Sequence, residues 1–92
     1  MLLIVIRATR GRAVPAGVSP HPVLGELGAR IRSRRVRLDM SQERLAEQAQ
    51  LHRTYITAIE NGTRNITVIA LLKLAAALQT SPAKLIEGFR LE

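Results

Sequence analysis

The strongest constraint on the fold is how little chain separates two helical segments in the middle of the sequence. Ser41 opens the first, because its hydroxyl can cap free backbone N–H groups and Glu43 in the first turn suits the positive end of the helix dipole. Leu45, Ala46 and Ala49 then form its apolar stripe. The second starts near His52 and turns Ile56 and Ile59 to one side, with Arg53, Thr54 and Thr57 on the other. If the first ends near Ala49, only Gln50 and Leu51 remain to join them, a very tight turn.

The rest of the chain repeats this punctuation. Leu24, Leu27 and Ile31 recur at helical spacing, so VLGELGARIRSRRVR reads as a first helix after Pro22, with Arg30, Arg32, Arg34 and Arg37 on its outer surface. Asn61-Gly62 is a natural stop, since both residues tolerate positive φ. Thr67 can cap a fourth helix with Val68, Leu71, Leu74, Ala75 and Leu78 on its buried face. Ser81-Pro82 starts a short fifth, anchored by Leu85, Ile86 and Phe89. With one Tyr, one Phe and no Trp in 92 residues, a single core must be built from Leu, Ile, Val and Ala. The expected fold is all-α, with five helices.

Residues 1–22 stand apart as an extension to a domain spanning 23–92. MLLIVI is far short of the ~20 residues of a membrane span and lacks the layout of a secretory signal. It reads as a mobile tail or as a short strand, and a lone strand needs a partner, such as the same strand of a second subunit. RATRGR and AVPAGVSPHP follow it. The absence of Cys excludes disulfides and thiolate metal sites, and two separated His make no recognisable zinc set. No metal, no cofactor and no catalytic set is expected, so the chain does not read as an enzyme.

The charge points elsewhere. Fourteen Arg and Lys against seven Asp and Glu give +7, and only two of the fourteen are Lys. Arg is favoured where a planar fork meets phosphates or base edges. Two short helices on a tight turn, the second apolar inward and polar outward, make a helix-turn-helix, which lays its second helix in the DNA major groove. From RLDMSQERLAEQAQLHRTYITAIENGTRNITVIALLKLAAALQTSPAKL, and with the first helix over about residues 24 to 89, the chain resembles the phage repressor and Cro (Xre-type) helix-turn-helix domains of small bacterial regulators. The resemblance implies a five-helix lambda-repressor-like domain.

It also implies roles. Gln42 matches a Gln that bonds phosphate and supports the recognition helix. Arg53, Thr54 and Thr57 match base-facing positions, His52 and Tyr55 lie nearer the backbone, and Arg64 and Asn65 fall in a loop beside a phosphate strand. Arg35 and Glu60 match a structural salt bridge. The Arg53 fork also suits guanine O6 and N7 on chemical grounds alone. The pattern is least well kept at Gln50, where the family usually has Gly and some strain is expected, and at His52, which replaces the usual Ser or Thr cap. Ile69 and Ala70 occupy positions often charged in similar proteins, so Val68, Ile69 and Leu72 form a candidate dimer surface.

The resulting expectation is a cytoplasmic, dimeric regulator of transcription, a repressor type that reads an inverted repeat in double-stranded DNA. Restriction-modification controllers, prophage repressors and antitoxins are all similar at this length. The alternative is a protein-binding module, for example an antitoxin that masks a toxin with its N-terminal segment.

Overall fold

The computed structural model describes residues 4–6 and 21–91. The elements run β1 (Ile4–Ile6), α1 (Pro22–Arg37), α2 (Gln42–Ala49), α3 (Arg53–Glu60), α4 (Val68–Ala77), α5 (Pro82–Leu85) and β2 (Phe89–Leu91). Five helices enclose one core as expected. RATRGR and most of AVPAGVSPHP lie outside the described residues.

The helix starts are those the cap residues predict. Ser41 accepts from the Arg44 N–H at 3.0 Å, Thr67 from Ala70 at 3.0 Å and Ser81 from Lys84 at 3.2 Å. α1 begins a residue earlier than the sequence suggests, because His21 Nδ1 accepts from the Val23 N–H at 3.1 Å and Pro22 takes the first helical position. His52 makes no side-chain cap bond.

The helix ends share one device. Asp39, Gln50, Gly62 and Gln79 follow α1, α2, α3 and α4 in the left-handed region, with φ of 60°, 56°, 72° and 56°. At each, the next N–H reaches back five residues: Met40 to Arg35, Leu51 to Ala46, Thr63 to Ala58, Thr80 to Ala75. This Schellman closure satisfies carbonyls left free by the helix end. Three of the four sites lack glycine and carry a backbone cost of roughly 1 kcal/mol each.

Leu27 and Ile31 of α1, Leu45, Ala46 and Ala49 of α2, Ile56 and Ile59 of α3, Leu74, Ala75 and Leu78 of α4, and Leu85 of α5 form the buried cluster. Where α1 crosses α3 there is no room for a side chain. A Cβ on Gly28 would lie 2.3 Å from the Ile59 carbonyl oxygen and 2.7 Å from that of Glu60. At this crossing α3 therefore rests on α1 backbone to backbone.

Four expectations change. Val68 is 71% exposed, and Ala70 takes its place in the core at 3%. Val68 is the first residue after the cap and points away, which moves the buried stripe of α4 to Ala70, Leu71, Leu74, Ala75 and Leu78. Second, α5 ends at Leu85, so Ile86 and Phe89 are not helical. Gly88 at φ 80° turns the chain, and Phe89 enters β2. Third, β1 pairs with β2 of its own chain, in parallel, with Ile4 opposite Phe89 and Ile6 opposite Leu91. The strand's partner is thus intramolecular, and a two-stranded ribbon joins the helices.

Fourth, Arg30 and Arg34 do not stand free on the outer face of α1. Arg34 donates to the carbonyls of Leu78 (2.9 Å) and Gln79 (3.0 Å), and Arg30 to those of Leu85 (3.2 Å) and Glu87 (2.8 Å). The Arg30 guanidinium also lies 4.3 Å from the centroid of the Phe89 ring. Both arginines satisfy backbone oxygens where α4 and α5 end. Arg32 and Arg37 remain exposed. Among the described residues no helix is long and apolar enough to cross a membrane.

Candidate nucleic-acid interface

The turn at Gln50 sets α3 against α2 and leaves the first turn of α3 facing outward. Ile56 and Ile59, 0% and 2% exposed, fix the inner face of α3. On the outer face Arg53 and Thr54 are exposed, as is His52 just before them. With no side chain capping this helix, its first N–H groups are left open to an anion. The helix start thus offers backbone donors, a guanidinium and a hydroxyl on one face.

A polar network locks α3 to the rest of the domain. Arg35 grips the Glu60 carboxylate with two bonds, Nε to Oε2 at 2.7 Å and Nη2 to Oε1 at 3.0 Å, and spends Nη1 on the Met40 carbonyl at 2.8 Å. The Glu60 side chain is 2% exposed and that of Arg35 12%. The Glu60 hydrogen bonds raise the Arg35 pKa further above its ordinary value, against the opposing effect of burial. Gln42 extends the network. Its Nε2 donates to Glu60 Oε1 at 3.1 Å, and its Oε1 accepts from the Thr57 hydroxyl at 2.9 Å.

The structure therefore divides the residues singled out by sequence. Arg35, Gln42, Thr57 and Glu60 belong to one internal network, with Thr57 half-buried and its one proton shared between Gln42 and the Arg53 carbonyl at 3.1 Å. Gln42 keeps one amide N–H for an outside partner. His52, Arg53, Thr54, Arg64 and Asn65 are exposed. Tyr55 is half-buried, its hydroxyl 3.4 Å from the Thr67 N–H it accepts from, and the Arg64 guanidinium lies 5.4 Å from its ring centroid. Tyr55 thereby ties the loop after α3 to the start of α4.

His52, Tyr55, Arg64, Asn65, Ile69 and Lys73 border an open groove of about 850 Å³ beside the start of α3. Two cations on its wall suit it to a phosphate strand passing along this side. Val68, Ile69 and Leu72 are exposed together on α4, at 71%, 61% and 46%.

Glu43 was not apparent from sequence as part of this surface. Its Oε1 lies 3.0 Å from Arg53 Nε, with both side chains 62% exposed. In sequence Glu43 is accounted for by the dipole of α2, and only the crossing of α2 and α3 brings it to Arg53. Lys73 was likewise hidden, because nothing in its spacing points to the groove.

A helix-turn-helix family model matches residues 31–85. The control protein C.SmaI of Serratia marcescens is 48% identical over 60 residues, spanning 65% of this chain and 71% of that protein. The control protein C.BamHI of Bacillus amyloliquefaciens is 46% identical over 57 residues, spanning 59% and 70%. Among solved structures, the restriction-modification controller protein C.AhdI from Aeromonas hydrophila superposes with a TM-score of 0.66 at 40% identity, over 67% of this chain and 94% of that one. The controller protein C.Esp1396I, as a tetramer in complex with its natural 35-base-pair operator, does so with a TM-score of 0.66 at 33% identity, over 72% and 87%.

Proposed function

Because the chain belongs to the helix-turn-helix family, we propose that it is a sequence-specific DNA-binding regulator of transcription that places α3 in the major groove. One observation carries this reading. Arg53 and Thr54 stand exposed on the first turn of a helix whose inner face and far end are fixed by Ile56, Ile59 and the Arg35–Glu60 pair. A rigid helix with donors on its outer face is what direct readout of base edges requires.

Arg53 reads a guanine, Thr54 a base edge or thymine methyl, and Arg64, Asn65 and Lys73 follow a phosphate strand. The spare N–H of Gln42 and the backbone donors at the start of α3 meet the opposite strand. The net charge of +7 supports binding that weakens steeply with salt as counterions are displaced. Two copies meeting through Val68, Ile69 and Leu72 would set their α3 helices about 34 Å apart on an inverted repeat. Among cytoplasmic regulators, restriction-modification control is the favoured role, supported by the controllers to which the chain is similar. The toxin-masking alternative draws no support from β1, which is already paired within the chain.

The test is selection of bound duplexes from a randomised pool, followed by Arg53→Ala. The selected sites should be inverted repeats, and the variant should lose preference at one base pair per half-site, about 1 to 3 kcal/mol of discrimination. Equal weakening on selected and random duplex would refute the base-reading role of Arg53.

A further inference from the structure

We propose that Glu43 is a positioning residue that sets how selectively Arg53 reads DNA. The inference rests on the DNA-binding reading and deepens it.

The Arg53–Glu43 contact is close, 3.0 Å from Nε to Oε1, yet it is a charge contact without an aligned hydrogen bond. Glu43 therefore opposes the guanidinium's charge while leaving its donors for an outside acceptor. At 62% exposure on both sides the pair adds little to folding, so its consequence lies in binding. Glu43 sits in the first turn of α2 and Arg53 in the first turn of α3, so the pair spans the two helix starts that face the duplex.

Two effects follow. An Arg–carboxylate pair has little net charge, so it captures any passing phosphate weakly and contributes little to the release of counterions. A guanine edge offers two acceptors in the plane of the fork without a full negative charge, and so remains a good partner. The carboxylate filters phosphate from guanine. It also stops the long Arg side chain from turning aside to the groove wall, which lowers the ordering cost of the specific contact.

The experiment measures binding of wild type, Glu43→Gln, Arg53→Ala and the double variant to the duplex selected by the wild-type protein and to random duplex of equal length, across a salt series. A melting curve checks each variant. Glu43→Gln should stay folded, melting only a few degrees below wild type as its dipole contribution is lost, and bind random duplex several-fold more tightly. Its salt slope should steepen by about one unit, and its selected-to-random ratio should fall about tenfold. In the Arg53→Ala background the Glu43 change should have no such effect. An unchanged ratio in Glu43→Gln, or an equal change with and without Arg53, overturns the proposal while the DNA-binding reading stands. A wild-type protein that enriches no duplex from the pool overturns both.

Discussion

Glu60→Ala tests whether the Arg35 network is the fastening that holds α3. The carboxylate accepts two bonds from Arg35 and one from Gln42, and at 2% exposure it is sealed from bulk solvent. Its loss leaves the Arg35 guanidinium, 12% exposed, with the Met40 carbonyl as its remaining partner. Removing one member of a buried ion pair costs about 3 to 5 kcal/mol. The Gln42–Thr57 bond survives, which favours the lower half of that range. Against a total of roughly 4 to 10 kcal/mol for a domain of this size, much of the stability would go. The melting temperature should fall by about 12 to 25 °C.

The informative comparison is Arg35→Met with Glu60→Leu, which replaces the pair by apolar groups of similar volume. That double variant should recover to within about 1 to 2 kcal/mol of wild type, giving a coupling of about 2 kcal/mol or more between the sites. Urea denaturation followed by circular dichroism measures wild type, Glu60→Ala, Arg35→Met, Glu60→Leu and the double variant. A loss below about 1 kcal/mol for Glu60→Ala, or a double variant as unstable as the sum of the singles, would refute the picture of a closed, mutually satisfied pair.

Three further changes test other parts of the structure. Gly28→Ala adds a good helix former but drives a Cβ to 2.3 Å from the Ile59 carbonyl oxygen, and a net loss of about 1 to 3 kcal/mol is expected by denaturation. A gain would mean that α1 and α3 separate at little cost. Gln50→Gly should stabilise by about 0.5 kcal/mol, because relief of the left-handed backbone exceeds the added unfolded-state entropy; a loss would show that the Gln side chain is itself needed at the turn. If two copies meet as proposed, Ile69→Glu with Leu72→Glu should leave the helical signal intact and lower the sedimentation coefficient to that of one chain, and an unchanged coefficient would refute the proposed surface on α4.

How far the fold is legible in the sequence depends on how local its causes are. Ser41, Thr67 and Ser81 each cap the N–H three residues on, so the chain announces these starts within one turn. The buried stripes of α2 and α3 follow from spacing alone. Left-handed helix ends at Asp39 and Gln79 are not announced, because neither residue is the glycine that usually marks them. Arg34 reaches carbonyls 44 and 45 residues away, and Arg30 others 55 and 57 away. Such contacts belong to the packed bundle and to no local pattern. The same holds for Glu43, whose distance from Arg53 is set by the crossing of two helices. Resemblance marked Gln42 both as a phosphate contact and as a support of α3, but which atoms it would hold there, Glu60 Oε1 and the Thr57 hydroxyl, follows only from the packed helices.

The small ribbon has a mechanical consequence. Because β1 and β2 run in the same direction with Ile4 beside Phe89 and Ile6 beside Leu91, the chain enters the ribbon at one end and leaves it at the other. Tension between residues 4 and 91 would load every rung at once, in shear. An antiparallel pair with its ends side by side would instead be unzipped one rung at a time. The helices thus lie inside a clasp that resists stretching along its length and gives way to sideways peeling, so pulling direction, at equal stability, would decide how readily it opens.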